Sequence, residues 1–210
     1  MEALKSRLLG RKITQPRFRW AMTEEQATDV LLAAYKAEVE YRHRAFIADE
    51  RTKENCRKLA AFLTADNSKF GVMLCGICGN GKTTLLYAFR SAMNWLSDCG
   101  AFGERKGIRV IDAKEIAAYA KEPRSFHEIR STQMLGIEDM GREATEVIDF
   151  GNVLNPVIDL LEYRYNNQLF TFITTNLKAD EVRKKYGDRI ADRFNEMLEV
   201  IIFGNTTYRK

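Results

Sequence analysis

The chain predicts an α/β fold in which a mostly parallel sheet carries helices on both faces. Three observations lead there: short apolar runs alternate with helix-like segments, a glycine-rich turn joins the first run to a helix, and acidic or polar residues close the later runs. Strands separated by helices pair in parallel through crossover connections, which lay the helices over both sheet faces.

The elements follow in order. Residues 23–48 hold helix formers with almost no glycine or proline, and Val30, Leu31, Ala34 and Val39 recur at near-helical spacing. Thr23, with Gln26 three residues on, is the pattern of a capping box. A second helix is expected over Lys53–Leu63, with Cys56, Leu59, Ala60 and Leu63 on one face. Val72–Cys75 is the first strand, and the helix after its turn should run to Leu96, before Asp98-Cys99-Gly100. Ile108–Ile111 reads as a strand, Lys114–Ala120 as a helix, and Gln133–Ile137 as a strand ending in Glu138-Asp139. Asn155–Tyr165 is helical and Leu169–Thr174 extended; helices over Val182–Tyr186 and Arg189–Met197 precede a last strand, Val200–Phe203.

With 210 residues and 45% apolar content, the chain can bury one good core and a small appendage. No apolar run approaches the roughly 18 residues of a membrane span, and residues 1–7 lack the apolar run of a secretion signal. A cytoplasmic protein is therefore expected, with Cys56, Cys75, Cys78 and Cys99 reduced. Cys75 and Cys78 have the spacing of half a zinc site, but no second pair exists and His43 and His127 are the only histidines. The net charge of +4 is uneven: Lys5, Arg7, Arg11, Lys12, Arg17 and Arg19 face only Glu2 in the first twenty residues, interleaved late with Pro16, Phe18 and Trp20. Such an arm can hold phosphates and stack bases. It can equally be a solvated terminus or a segment that docks on a protein.

The chemistry concentrates in Gly76-Ile77-Cys78-Gly79-Asn80-Gly81-Lys82-Thr83, a complete G-x-x-x-x-G-K-[ST] loop between strand and helix, with Thr84 following. Backbone N–H groups and a helix N-terminus in that setting form a site for a polyphosphate, so a nucleoside triphosphate with Mg2+ is expected. Gly79 and Gly81 permit close backbone approach, Lys82 would reach the β and γ phosphates, and the Thr83 hydroxyl would ligate the metal. Glu138 and Asp139 arrive at the carboxyl edge of the sheet, where one would hold a metal-bound water and the other orient the attacking water. Asn176, after Thr174-Thr175, reaches the same edge and would bond the γ-phosphate or position the water; as a plain turn residue it would do neither. Arg189 and Arg193 are four apart on one helix face. They either balance Asp188, Asp192 and Glu196, or offer a guanidinium to a neighbouring subunit's γ-phosphate.

From about Phe46 to Arg209 the chain resembles AAA+ ATPases of the helicase-loader group, the DnaC-type loaders and the IstB-type transposition helpers. The matching segments, in order, are Gly76–Thr83, Ile137-Glu138-Asp139-Met140-Gly141, Arg164-Tyr165, Ile173-Thr174-Thr175-Asn176-Leu177 and Tyr186-Gly187-Asp188-Arg189-Ile190-Ala191-Asp192-Arg193-Phe194. The resemblance implies a P-loop NTPase core with a five-stranded parallel sheet in the order 5-1-4-3-2, Asn176 as sensor 1, and Arg193 as arginine finger with Arg189 beside it. It divides the chain into a basic arm and helical partner- or DNA-binding extension (1–48) and an ATPase core (49–210). One departure is the order Glu138 then Asp139, where the family has Asp first, so slow hydrolysis is expected. The chain also ends soon after its last strand, so the helical lid and sensor 2 arginine are expected to be missing and assembly to complete the site. The expected function is an ATP- and Mg2+-dependent ATPase that assembles as a homo-oligomer on single-stranded DNA and switches a partner, a replicative helicase. The alternative is a transposition helper that binds duplex DNA and recruits a transposase. A small-molecule kinase would leave Thr174-Thr175-Asn176 and the arginine pair without a purpose.

Overall fold

A computed structural model describes residues 1, 5, 17–47, 49–66, 69–144, 146–149, 152–204 and 207–208. Arg7, Arg11, Lys12 and Pro16 of the basic arm lie outside the described residues. The helices are α1 (Glu24–Tyr41), α2 (Glu50–Thr64), α3 (Lys82–Asp98), α4 (Ile116–Ala120), α5 (Pro123–Ser131), α6 (Pro156–Asn166), α7 (Ala179–Tyr186) and α8 (Asp188–Met197). The strands are β1 (Gly71–Gly76), β2 (Arg109–Asp112), β3 (Met134–Met140), β4 (Val147–Asp149), β5 (Asn152–Leu154), β6 (Phe170–Thr175) and β7 (Leu198–Phe203).

Five strands pair in parallel in the order β2-β3-β6-β1-β7. Numbered along the chain within that sheet, the order is 2-3-4-1-5, the expected 5-1-4-3-2 read from the other edge. β6 is central and every residue of Phe-Thr-Phe-Ile-Thr-Thr is buried, which suits its aromatic and β-branched composition. Alternation along the strands divides the core. Val72, Leu74, Phe170 and Phe172 pack against α1, α2 and α3; Met73, Leu135, Ile137 and Ile173 pack against α4 to α8.

The capping box at Thr23 is formed: its hydroxyl accepts from Gln26 N at 3.2 Å, and Gln26 Oε1 accepts from Thr23 N at 3.0 Å. Ala27, Leu31 and Tyr35 of α1 join α2 and α3 in one hydrophobic cluster. Trp20, 2% exposed, stacks on Phe89 at 6.0 Å, and Phe18 lies against Phe102 and Phe170 at 5.7 and 5.4 Å. Arg17 donates to Gln168 Oε1 at 2.9 Å, and Arg19 donates to the carbonyls of Ala65, Phe18 and Lys69. Trp20 is therefore part of the core, and Phe18 packs partly buried against it.

Three elements depart from the expected pattern. The helix expected over Lys114–Ala120 opens as a 3₁₀ turn, Ala113–Glu115, because the Asp112 carboxylate accepts from Lys114 N at 2.9 Å and tightens the chain. α5 has few apolar residues and begins at Pro123, whose missing N–H suits a first helical position. β4 and β5 pair antiparallel in a stretch between β3 and α6 to which the sequence pattern assigns no element.

Arg164 is wholly buried in the α4–α8 layer and bonds outward to backbone. Its Nε donates to Thr171 Oγ1 at 2.9 Å, Nη1 to Thr132 O at 2.7 Å and Nη2 to Phe170 O at 2.5 Å. Burial pushes its guanidinium down to about 9, which leaves it charged at neutral pH. It ties α6 to the start of β6 and to the chain entering β3.

Candidate functional site

The glycine-rich loop leaves β1 at Gly76 and enters α3 at Lys82. Gly81 stands at the N-cap with φ 97°, and a Cβ there would lie 2.3 Å from the Tyr35 hydroxyl oxygen. Gly81 has no side chain with which to cap α3. Asn80, 1% exposed, donates from Nδ2 to Phe203 O at 3.3 Å and so fastens the loop to the end of β7.

Lys82 is 4% exposed, and its ammonium donates to four oxygens: Gly76 O at 2.6 Å, Ile77 O at 2.7 Å, Asn176 Oδ1 at 2.9 Å and Asn80 Oδ1 at 3.0 Å. Asn176, 94 residues away in sequence, thus meets the loop lysine directly. It gets there because β6 lies beside β1, with Thr175 paired to Cys75, so both strand ends open onto one edge.

Glu138 and Asp139 lie within β3, which continues to Met140, at an irregularity in its pairing with β6. Asp139 has φ 54°, a left-handed conformation that an aspartate tolerates better than most residues. Such a break in register re-aims side chains, and both carboxylates line the same cleft as Lys82, Thr83 and Asn176. Thr174 Oγ1 accepts from Asp139 N at 2.9 Å, and Thr175 Oγ1 donates to Met140 O at 2.6 Å. The Thr-Thr pair before Asn176 therefore braces the acidic turn.

Each carboxylate has a partner that sequence reasoning did not single out. Tyr87 donates to Glu138 Oε2 at 3.0 Å, and Arg142 Nη1 lies 2.5 Å from Asp139 Oδ2. Burial raises the Tyr87 phenol above its usual range, and the charge of Glu138 adds to this. The bond to Asp139 raises the Arg142 guanidinium. Tyr87 is one helical turn from Thr83 and Arg142 is three residues from Asp139, but neither spacing by itself names the carboxylate it meets. Just beyond, Glu143, 5% exposed, accepts from Tyr186 and from Gly141 N at 2.7 Å, while Lys185 Nζ lies 3.4 Å from Glu143 Oε1. The acidic turn is thereby bolted to the C-terminal end of α7.

The cleft has a volume of about 1490 Å³. Gly79–Thr84, Glu138, Asp139, Arg142 and Asn176 form one part of its wall, and Tyr35, Phe46, Ile47, Thr52 and Tyr208 another. Cys78 is exposed at the rim, whereas burial pushes the Cys75 thiol up to about 11.

Arg189 and Arg193 do not line this cleft. Both converge on Glu162 of α6: Arg189 Nε lies 3.1 Å and Arg193 Nη1 lies 2.8 Å from its Oε1. Arg193 Nη1 has no aligned hydrogen bond, so this pair is ionic in character, and its guanidinium lies 4.9 Å above the Tyr165 ring. Arg189 keeps 71% of its side chain exposed against 15% for Arg193. Asp188 and Asp192 are taken instead by Arg183.

The residues suit a Mg2+-bound triphosphate: a helix N-terminus, an ammonium that donates to oxygens, a hydroxyl at Thr83 and two carboxylates share one cleft. Among the described residues, no helix is long and apolar enough to cross a membrane.

No protein-family model and no curated protein matches the sequence. Solved structures do. The DnaC helicase loader aligns with a TM-score of 0.60 at 20% identity, covering 81% of this chain and 98% of that one. DnaI aligns at 0.59 and 20%, covering 90% and 95%. A putative primosome component from Streptococcus pyogenes serotype M3 aligns at 0.58 and 18%, covering 84% and 98%. At these identities the likeness carries architecture alone: the chain has the α/β fold seen in the DnaC helicase loader.

Proposed function

We propose that the chain is a Mg2+-dependent ATPase of helicase-loader type, which binds and hydrolyses ATP to switch its hold on a partner. The observation that carries this reading is the contact of Lys82 with Asn176 at 2.9 Å, inside a cleft that Glu138 and Asp139 also line. A glycine-rich turn that merely closed a loop would have no need of a buried ammonium, a facing amide and two carboxylates. Gly76–Thr84 would hold the phosphates, Thr83 with Glu138 or Asp139 the metal, and Asn176 the γ-phosphate or the water. The metal would supply charge neutralisation on the phosphate oxygens.

In this reading ATP is shared between subunits of a homo-oligomer, with Arg193, flanked by Arg189, reaching the neighbour's γ-phosphate. The oligomer tracks single-stranded DNA and engages a replicative helicase, with residues 1–48 as the partner- or DNA-facing part and 49–210 as the core. The likeness in fold to the DnaC helicase loader supports the partner class by analogy. Recruitment of a transposase on duplex DNA is the second reading, since its core chemistry would be the same.

Purified chain should turn over ATP only with Mg2+, sediment as a larger species with ATP than without, and accelerate on single-stranded DNA. Lys82→Ala should abolish all three. Turnover equal to that of Lys82→Ala would sink the ATPase reading, and stimulation by duplex alone would favour the second.

A further inference from the structure

The cleft is lined by two chemically different sets of residues. Lys82 and Asn176 suit a triphosphate, and Tyr35, Phe46, Ile47, Thr52 and Tyr208 offer ring, apolar and hydroxyl surface to the base of the nucleotide. Tyr208 belongs to no helix or strand, yet it is pinned at three points. Its backbone N–H donates to Gly79 O at 2.9 Å, its hydroxyl donates to Asp49 Oδ2 at 2.6 Å, and that hydroxyl lies 3.1 Å from Thr52 Oγ1. Asp49 is the N-cap of α2 and accepts from Thr52 N at 2.7 Å. Burial opposes ionisation of Asp49, but the bonds from Tyr208 and Thr52 outweigh it and hold the carboxyl below its usual range. One residue therefore bridges the phosphate loop and the start of α2. Its ring edge, Cε2, lies 3.7 Å from where a Cβ on Gly81 would stand, and 40% of the residue stays exposed.

A ring tethered at its hydroxyl and at its backbone offers fixed apolar surface with little rotamer entropy left to lose. We infer that Tyr208 is a nucleotide-contacting residue, which meets the base and holds it in register with the phosphate loop. The inference rests on the nucleotide reading above.

The test is equilibrium binding of Mg·ATP and of magnesium tripolyphosphate to the full chain, by competition with a fluorescent ATP analogue. Tyr208→Ala should weaken ATP about ten-fold, as expected for one lost aromatic contact, and leave tripolyphosphate within about two-fold. Tyr208→Phe keeps the ring but loses its two hydroxyl contacts, and should fall between wild type and Tyr208→Ala. Lys82→Ala should weaken both ligands. Equal losses for the two ligands with Tyr208→Ala, an unchanged ATP affinity, or tighter ATP binding would each overturn the assignment, the last by making the tyrosine an occluder. A wild-type chain that bound neither ligand would instead overturn the nucleotide reading itself.

Discussion

Lys82 and the Arg189/Arg193 pair are both cationic and both close to acceptors, but they are held in opposite ways. Lys82 is buried, with four oxygens drawn from the loop and from the end of β6. Moving it would break the bond to the buried Asn80 Oδ1, at a cost of about 1–3 kcal/mol, along with three others. Arg189 and Arg193 share one carboxylate, Glu162, and Arg189 is largely in solvent. The exposed Arg189–Glu162 pair is worth about 0–1 kcal/mol and is cheap to release, whereas Arg193, with 15% of its side chain exposed, is held more firmly. One cation is built in; the other is parked.

The hardest blow to that contrast comes from Arg193. On the proposed reading, Arg193→Ala lowers steady-state ATP turnover about a thousand-fold. Mixing it with Lys82→Ala protein should restore part of the rate, because each supplies what the other lacks. A mixture as inert as its components would mean that Arg193 serves only its own chain.

Asn176→Ala probes the built-in side. With Lys82 losing one oxygen, kcat should fall about a hundred-fold while KM moves only a few-fold. An unchanged kcat would reduce the Lys82–Asn176 bond to architecture. Glu143→Gln tests the bolt between acidic turn and α7. Taking the charge from a carboxylate that faces Tyr186, Gly141 N and Lys185 should cost about 2 kcal/mol in urea unfolding. An unmoved midpoint would show that the bolt bears no load.

The smallest expected effect is that of Glu162→Gln. Releasing both arginines should raise ATP-assembled turnover about two-fold and, because Arg193 is largely buried, cost about 1 kcal/mol of stability. A large loss of stability would show that the arginine pair is a structural clamp rather than a parked group.

These regions also differ in how far they could be read from the chain. The phosphate loop is local: eight consecutive residues specify a turn, a dipole and a charge, and the flanking apolar run and helix specify where they sit. Asn176 was legible because strand ends in a parallel sheet converge on one edge. Tyr87 and Arg142 were not, since their meaning depends on how the irregularity at Asp139 turns two carboxylates. Phe18 and Trp20 were ambiguous for a related reason. Aromatics beside arginines have the same composition whether the rings face solvent or pack on Phe89 and Phe170. α5 was hidden by its polar composition, with only Phe126 and Ile129 to set a helical period.

Periodicity, turn chemistry and spacing in the bare sequence determined the α/β class, the position of the loop and the acidic pair, because each follows from neighbours a few residues apart, while the roles expected of Asn176 and the arginines came from the family resemblance. Tertiary structure alone decided which of them meet. It set Asn176 on Lys82, left Arg193 on Glu162, and brought Tyr208 back onto Gly79. Such contacts join residues far apart in the chain, and only strand order and burial say which partners come within bonding distance.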